Sequence, residues 1–549
     1  MTALRPADLV LRGGAVHTVD PARPRAQAVA VRGGRIVAVG TDADVGEHMG
    51  PRTRVVELRG RTLLPGFQDA HVHAVTAGLD RLRCDLRGGA DDAETYLARV
   101  GEYAAAHPER RWIVGGGWAM GAFPGGTPDR GLLDAVVPDR PVCLDNRDGH
   151  GVWVNSRALE LAGIDRHTPD PVDGRIERDA DGQPQGTLHE GATALIERHI
   201  PQPTAEEWLA SARLGQAELH RLGITAWQET SGYETDLGAY RTLAERGELT
   251  ARVVVAQRWQ RDAGLEQLDA FAARRDRSRI GRLRADRLKI LLDGVLENFT
   301  GAMLEPYLDA NGSPTTNRGL LFLEPVLLRE VVRRADGLGF HVHVHAIGDR
   351  AVREALDAFE AASASNPARD RRHTIAHIQV IHPADLARFA ALGVVANGQP
   401  YWAVSERQMD VLTIPFLGPE RTGWQYPFGS LLRAGARLAF GSDWAVSTPN
   451  PLEEIEVAVR RVSPDDRHAA AFLPHERITL RAAVEAFTLG AAYVNGLDEE
   501  TGTITAGKLA DLAVLDRDLF APGTLPDDAR VLLTLVEGAP VFEDPALEG

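Results

Sequence analysis

The sequence lacks the features that would place it outside the ordinary class of globular proteins. It has only two cysteines, Cys84 and Cys143, among 549 residues, which excludes a disulfide framework and a cysteine-rich metal site. No apolar run approaches the roughly 18 residues that a membrane-spanning helix needs. The N-terminal stretch has no apolar core of the kind found in secretory signal peptides, so we expect a cytoplasmic protein.

Basic residues are also in deficit, because 61 lysines and arginines face 77 aspartates and glutamates, a formal charge of −16. No basic cluster reverses this locally, so we expect neither nucleic acid nor a membrane surface as a partner. Hydrophobic residues make up 44% of the chain and charged residues 25%, which is ordinary for a globular protein. The chain is long enough for a large core and a second, smaller domain.

Both ends of the chain have the pattern of a small antiparallel sheet. Short runs that alternate apolar and polar residues, such as residues 28–32 and 35–39, are separated by glycine pairs. The same pattern returns in residues 511–515 and 530–536. Such runs are typical of antiparallel strands joined by tight turns. We therefore predict a composite β-sandwich domain made from residues 1–62 and 489–549.

The middle of the chain, residues 63–488, predicts alternating strands and helices. Helical spacing of apolar residues marks the connecting segments, for example residues 327–335 and 350–359. Eight strand–helix units indicate an α/β fold, a TIM-like (β/α)8 barrel, whose chemistry lies at the C-terminal ends of the strands. The first strand ends near residue 73, and the others are residues 224–229, 252–257, 288–293, 340–345, 373–377, 394–397 and 437–443.

A large insertion, roughly residues 82–205, separates the first barrel strand from the second. We expect it to form strands and turns of its own. A long structured excursion at the catalytic end of a barrel is usually a lid or a substrate-recognition element. Trp118 and His150 in this insertion are candidates for substrate contact, and an equally good interpretation makes them structural residues of a lid.

The end of the first barrel strand contains a His-x-His motif. Asp69, His71 and His73 alternate along the strand and therefore face one side. Two imidazoles about 6.6 Å apart on one strand face can bind a single metal ion. Taken alone, such a motif is more often a packed or exposed pair, so other strands must supply further ligands.

Ligand-type residues recur at the ends of three more strands. His341, His343 and His345 share one face of the fifth strand, and His345 is nearest its C-terminal end, while the other two should lie deeper. His377 ends the sixth strand and Asp443 emerges from the eighth. Residues that can bind a metal therefore converge from four strand ends, and this convergence favours a functional site.

Lys289 and two tryptophans complete the set of candidates. Lys289 lies among apolar residues on the fourth strand, where a bare ammonium would be costly. We expect it to be neutral, paired or carbamylated by CO₂, unless its head reaches the barrel mouth. Trp402 and Trp444 follow the seventh and eighth strands and are candidates for an apolar substrate pocket, although ordinary packing explains them equally well.

Together these motifs resemble the amidohydrolase superfamily, and most closely its YtcJ-like branch of metal-dependent hydrolases, amidohydrolase family 3. The resemblance covers nearly the whole chain and implies a distorted (β/α)8 barrel, a composite β-sandwich and one or two divalent ions, with zinc the expected metal. One departure is Ala376, where the branch often has glutamate. The similar stretches are residues 64–73, 148–150, 155–156, 289–298, 345–349, 377, 399–400, 441–443 and 507–512.

The resemblance also implies roles for individual residues. The implied metal ligands are His71, His73, Lys289, His345 and His377. Carbamylated Lys289 would bridge two ions, whereas with one ion it would remain an ordinary lysine. Asp443 would be the catalytic residue that takes a proton from metal-activated water and passes it to the leaving nitrogen.

The implied function is hydrolysis of a C–N bond in an amide, an N-acyl or N-formyl group, or a cyclic amide of a small-molecule substrate. The same scaffold also supports ester hydrolysis, deamination and decarboxylation. A non-catalytic binding module is a further alternative, but such a relative should have lost ligands that this chain retains. A homodimer is compatible with the sequence.

Overall fold

The computed structural model describes residues 5–548, except for the side chain of Ser231. Its centre is a parallel sheet of eight strands, β1 to β8, which are neighbours in the order of the chain. They are Phe67–Val72, Ile224–Gly232, Arg252–Arg258, Leu283–Leu291, His341–Ala346, Thr374–His377, Val395–Gly398 and Leu438–Phe440. The predicted (β/α)8 barrel is confirmed.

The segments at the mouth bring β1 and β8 together. The backbone N–H of Asp443 donates to the carbonyl of His71 at 2.8 Å, and the N–H of His73 donates to the carbonyl of Trp444 at 2.9 Å. These two bonds fix the end of the first strand against the segment that follows the last one. The sheet therefore curls into a nearly closed barrel whose ligand-bearing ends meet.

Helices alternate with the strands because their buried residues repeat with helical spacing. In Asp349–Ser365, for example, Val352, Leu356 and Phe359 are buried and belong to the large apolar cluster of the barrel. The helices of the barrel part are Ala74–Arg81, Ala205–Arg221, Glu234–Glu245, Gln267–Arg277, Pro325–Gly337, Asp349–Ser365, Leu386–Leu392, Ile414–Thr422, Phe428–Arg433, Pro451–Arg460, Leu480–Glu485 and Ala491–Asn495.

Two sheets are built from the terminal segments, and one of them contains strands from both ends of the chain. The four-stranded sheet has the order Arg35–Gly40, Ala28–Arg32, Leu9–Arg12, Arg54–Glu57, next to the short helix Asp42–Gly46. The six-stranded sheet has the order Ala539–Glu543, Val531–Val536, Leu512–Leu515, Thr62–Pro65, Ala15–His17, Arg25–Ala26. Apolar residues of both sheets share one cluster. The composite β-sandwich is therefore present, and its limits at 1–62 and 489–549 stay a prediction.

The insertion after β1 forms a sheet and a core of its own. Its six strands have the order Gly174–Arg178, Pro184–Glu190, Gly151–Val154, Val142–Asn146, Ile113–Trp118, Cys84–Asp85. Its helices are Ala93–Ala106, Arg130–Val136, Ser156–Ala162 and Ala194–Glu197. Two apolar clusters, one around Trp153 and one around Leu188, give this part its own buried interior. The expected large insertion is confirmed, and the boundaries 82–205 stay a prediction.

Two further expectations concern cysteines and the membrane. Cys84 and Cys143 are both buried free thiols, as expected for a chain without a disulfide framework. Among residues 5–548, no helix combines the length and the apolar character that crossing a bilayer requires.

Candidate metal centre at the barrel mouth

Asp443 lies at the centre of the ligand-type residues. Its Oδ1 is 3.0 Å from Nε2 of His73 and 3.4 Å from Nε2 of His71, and its Oδ2 is 3.7 Å from Nδ1 of His377. Ligand atoms of His71, His377 and Asp443 all lie within 4.8 Å of one another. Nζ of Lys289 is 3.4 Å from Nε2 of His71. The structure thus brings β1, β4, β6 and the segment after β8 to one point.

The oxygen Oδ1 of Asp443 is buried and has no hydrogen-bond partner, although two imidazole nitrogens lie close to it. These short approaches therefore lack hydrogen-bond geometry. A buried carboxylate oxygen without a donor is costly. An oxygen and two imidazole nitrogens that face one another in this way are a donor set that fits a divalent cation.

The backbone is strained at two of these residues. His377 has φ 76° and Asp443 has φ 52°, in the left-handed region that residues other than glycine rarely adopt. Such conformations cluster at functional sites, where the surrounding structure holds them in place. Here the strain lies at the ends of β6 and β8 and directs both side chains into the barrel mouth.

A chain of hydrogen bonds fixes the proton on His71. The side-chain amide of Gln228 donates to Asn495 at 3.3 Å, so its carbonyl oxygen accepts from Nδ1 of His343 at 2.8 Å. Nε2 of His343 then has to accept from Nδ1 of His71 at 2.9 Å. The unprotonated nitrogen of His71 is therefore Nε2, which faces Lys289 and Asp443. This is the tautomer that a metal ligand needs.

The other two buried histidines of the site are oriented in a similar way. Nδ1 of His377 is 3.0 Å from the side-chain oxygen of Gln399, which leaves Nε2 free to bind a metal. Nε2 of His345 is 3.2 Å from the carbonyl oxygen of Gly294, which leaves Nδ1 free. Burial, together with neighbouring cationic groups, lowers the pKa of His71, His345 and His377 well below 6.5. All three are therefore neutral imidazoles.

Asp293 holds the loop that carries the β5 end of the site. Its carboxylate accepts hydrogen bonds from the backbone N–H groups of Ala302, Ile347 and Gly348 at 2.9 to 3.0 Å. The same carboxylate lies 3.5 Å from Nε2 of His345. These contacts fix the segment after β4 against the one after β5, so the ring of His345 has little freedom to turn.

Lys289 is almost fully buried, with 2% of its surface exposed. Burial lowers its pKa to about 7, against the opposing effect of the Asp443 carboxylate. A substantial fraction of the amine is therefore neutral near pH 7. The state of Lys289, whether neutral, paired or carbamylated, stays a prediction.

Asp69 connects the ends of β1 and β8 through hydrogen bonds. Its carboxylate accepts from the N–H of His71 at 2.9 Å and from the hydroxyl of Ser442 at 2.6 Å. Burial raises its pKa to about 7. Asp69 thereby ties the β1 end to the β8 end and holds His71 and Asp443 at their separation.

His150 reaches the site from the insertion. Its Nδ1 is 3.0 Å from the carboxylate of Glu190, and its ring lies 5.4 Å from the ring of His345. Burial opposes protonation of His150, but the neighbouring Glu190 outweighs it and raises the pKa to about 9. Glu190 also accepts from the Thr300 hydroxyl at 2.8 Å. The insertion therefore contacts the barrel through a buried ion pair beside His345.

Trp402 and Trp444 line a cavity of about 540 Å³ next to this centre. The ring of Trp402 stacks on His377 at a centroid distance of 5.4 Å. Trp118 lies elsewhere, because it is fully buried within the insertion and its indole N–H donates to the carbonyl of Leu144 at 2.8 Å. The substrate-contact roles of these tryptophans and of His150 stay predictions.

Sequence reasoning did not identify Gln228, Glu190 or Asp293 as residues that position the site. Gln228 and Asp293 lie within runs that were recognised as strands, but their partners come from other strands. Glu190 contacts His150, although the two residues are 40 positions apart in the sequence. The alternation of His343 with His345 was the available signal for His343, which we expected to lie deeper in the barrel.

An eight-stranded parallel barrel with a possible divalent-metal site at the C-terminal ends of its strands has the architecture of the (β/α)8 barrel enzymes, whose chemistry lies at that end. The family model described as the amidohydrolase family matches residues 54–542. The chain therefore belongs to the amidohydrolase family, as the sequence motifs predicted.

Three relatives illustrate the similarity. The putative amidohydrolase YtcJ of Bacillus subtilis is 30% identical over 97% of this chain and 99% of its own length. The N-substituted formamide deformylase of Arthrobacter pascens is 30% identical over 99% of both chains. A solved structure of an uncharacterized metal-dependent hydrolase from Pyrococcus furiosus aligns with a TM-score of 0.70 and 27% identity, covering 93% of this chain and 99% of that chain.

Proposed function

We propose that the protein is a metal-dependent amidohydrolase that cleaves the C–N bond of an amide, an N-acyl or N-formyl amine, or a cyclic amide. The observation that carries this proposal is the buried, unpartnered oxygen of Asp443 facing the imidazoles of His71 and His73. This carboxylate lies at the mouth of a barrel beside a cavity large enough for a small molecule.

The residues that would hold the metal are His71, His73, His345, His377 and carbamylated Lys289. Neutral imidazoles and carboxylate-type oxygens suit zinc, which we propose as the metal. A divalent ion held there supplies Lewis-acid polarisation of the substrate carbonyl and lowers the pKa of water.

Asp443 is the residue that moves the proton in this proposal. Its carboxylate is buried, lies at the end of β8 and is fixed by its backbone hydrogen bond to His71. It accepts a proton from the attacking water at a carboxylate oxygen and donates it to the nitrogen of the leaving amine. The cleavage then balances, because the acyl carbon gains a hydroxyl group and the amine nitrogen gains a hydrogen.

Carbamylation of Lys289 is consistent with its environment. The pKa of about 7 leaves part of the amine neutral, and a neutral amine nitrogen can attack CO₂ to form an N–C bond with loss of one proton. The product is an anion, which replaces a buried cation next to three neutral histidines by a charge that divalent ions stabilise.

The choice of a C–N bond draws on the relative from Arthrobacter pascens, an N-substituted formamide deformylase that aligns with nearly all of this chain. We infer from this similarity that N-substituted formamides and related N-acyl amines are the first substrates to examine. The cavity of about 540 Å³ matches the size of such molecules.

The test is release of amine from a panel of N-formyl amines, N-acetyl amines and cyclic amides. The protein is purified with bicarbonate, without chelators, and loaded with zinc. Hydrolysis of one of these classes, abolished by chelation and restored by zinc, is the expected result. A zinc-loaded protein that hydrolyses esters but none of the amides would overturn the C–N assignment.

A further inference from the structure

The cavity beside the metal centre has more acidic than basic side chains in its walls. Its charged lining residues are Asp91, Asp148, Glu297, Glu406 and Asp465 on the acidic side and Arg81, Arg87 and Arg147 on the basic side. The cavity adjoins the centre because Trp402 stacks on His377 and Trp444 directly follows Asp443. A substrate bound at the centre therefore extends past these charges.

The arginines are engaged with carboxylates around the rim. Arg87 binds Asp80 at 2.9 Å and Asp85 at 3.2 Å, and Arg147 forms an ion pair with Asp91. Arg81 lies 3.5 Å from Asp85 and is half exposed. Their charge is thus largely compensated within the protein. The five carboxylates of the lining still outnumber its three arginines together with the cationic His150 beside Asp148.

Two other carboxylates of the wall act on Glu297. Burial is the main cause that raises the pKa of Glu297 to about 7, and the charges of Asp148 and Glu406 contribute to this value. Partial burial also raises the pKa of Asp148, whereas Glu406 lines the cavity as an exposed residue. Like charges held together in a partly desolvated wall repel, and a positively charged ligand between them removes that repulsion.

The carboxylates Asp148, Glu297 and Glu406 do not form a compact metal site. Among residues 5–548, the one trio of possible metal ligands whose atoms converge within 4.8 Å is His71, His377 and Asp443. Asp148, Glu297 and Glu406 therefore do not close on a single ion. The cavity that they line, of about 540 Å³, has room for an alkylammonium group.

Aromatic side chains complete this wall. Tyr401, Trp402, Tyr426 and Trp444 line the same cavity. Tyr426 lines the cavity together with Glu297 and Glu406. Both carboxylates add to the effect of burial, which raises the pKa of the Tyr426 hydroxyl. Aromatic faces attract ammonium groups through cation–π interactions, and they attract them more strongly where water is excluded.

We propose that this acidic, aromatic cavity selects substrates whose amine portion carries a second, positively charged nitrogen, so that the preferred substrates are N-formyl or N-acyl derivatives of diamines. This inference rests on the proposed C–N hydrolysis and adds the substrate class. Glu297, Asp148 and Glu406 receive the distal ammonium, while the amide lies at the metal centre. An anionic group at the same distance is rejected by the same charges.

The test compares three formamides of matched length: mono-N-formyl-1,6-diaminohexane, N-formylhexylamine and N-formyl-6-aminohexanoate. We expect kcat/KM to be at least about tenfold higher for the cationic than for the neutral substrate, and lowest for the anionic one. Equal kcat/KM for the cationic and neutral formamides would overturn the inference and leave the hydrolase proposal intact.

Two variants and one control assign the effect to the cavity. Glu297→Gln and Glu406→Gln should each lower the cationic-to-neutral ratio of kcat/KM about threefold or more. Glu109→Gln changes an insertion carboxylate that is 64% exposed, and it should leave the ratio as it is in the wild type. A ratio that is unchanged in both cavity variants would contradict the assignment.

A binding measurement separates this inference from the hydrolase proposal. If no member of the amide panel is cleaved, the proposed function fails, but calorimetric titration with 1,6-diaminohexane and with 1,6-hexanediol still reports on the cavity. Preferential binding of the diamine that weakens in Glu297→Gln supports a cation-selective cavity. Equal binding of diamine and diol overturns it.

Discussion

At the scale of the residue, the site depends on which nitrogen of each imidazole carries the proton. His71 faces Asp443 with an unprotonated Nε2. The reason is that Gln228 accepts a hydrogen bond from Nδ1 of His343, so Nε2 of His343 accepts one from Nδ1 of His71. The positions of His71 and His345 on their strands were predictable from alternation. The tautomers were not, because they depend on side chains from other strands that sequence spacing does not connect.

Replacing His343 with alanine should therefore weaken metal binding without removing a ligand. The loss of the acceptor for Nδ1 of His71 frees that ring to rotate, and we expect zinc affinity to fall about 10- to 100-fold. Competition with a chromophoric chelator measures the zinc Kd. His341→Ala, on the same strand but hydrogen-bonded to the backbone of Arg372, is the matched control and should change the Kd little; equal effects in both variants would contradict this role.

Replacing Asp443 with asparagine should separate metal binding from turnover. The amide keeps the size of the side chain but cannot accept and return a proton, so we expect kcat to fall about 10²- to 10⁴-fold. Elemental analysis of the same preparation should still find bound metal, held by the histidines. Full activity in this variant would rule out the proton-transfer role.

At the scale of the element, the site depends on the closure of β1 against β8. A side chain at Gly441 would meet the backbone nitrogen of His71 at 2.4 Å and Oδ1 of Asp69 at 2.8 Å. Glycine is needed there because the two strand ends approach too closely for a Cβ atom. The strands themselves were predictable from their apolar runs, whereas this close approach exists only once the barrel has closed.

Gly441→Ala should force β1 and β8 apart. We expect a loss of about 1 to 3 kcal/mol in the free energy of unfolding, which is typical of overpacking, together with weaker zinc binding. Chemical denaturation measures the first quantity. The control is Gly238→Ala, where an added Cβ meets no heavy atom within 4 Å and helix propensity favours alanine; equal destabilisation by both substitutions would argue against a closure-specific effect.

At the scale of the whole molecule, two of the three parts of the chain meet at the site. The terminal segments form a sandwich, the barrel carries the candidate ligands, and the insertion brings His150 and Glu190 against the β5 end. The repeating pattern of the sequence predicted the barrel and the shared terminal sheet. It did not predict how the insertion meets the barrel, because that contact depends on one buried pair rather than on a periodic pattern.

Glu190→Ala should loosen the insertion from the barrel. The change leaves His150, Thr300 and Asn298 without their common acceptor, and removing one partner of a buried ion pair typically costs about 3 to 5 kcal/mol. Hydrogen exchange should become faster in the strands of the insertion while the barrel core stays protected. Glu160→Ala, at an insertion side chain that is 69% exposed, should leave exchange unchanged; the prediction fails if the two variants exchange alike.

Every catalytic role proposed for these residues requires a divalent metal at the barrel mouth. The most direct measurement is the number of metal ions per chain, by elemental analysis of protein purified with bicarbonate and without chelators. We expect about one to two ions per chain, two if carbamylated Lys289 bridges them, and loss of metal in His71→Ala. A correctly folded wild-type protein that binds no divalent metal, even after reconstitution with zinc, would contradict this expectation.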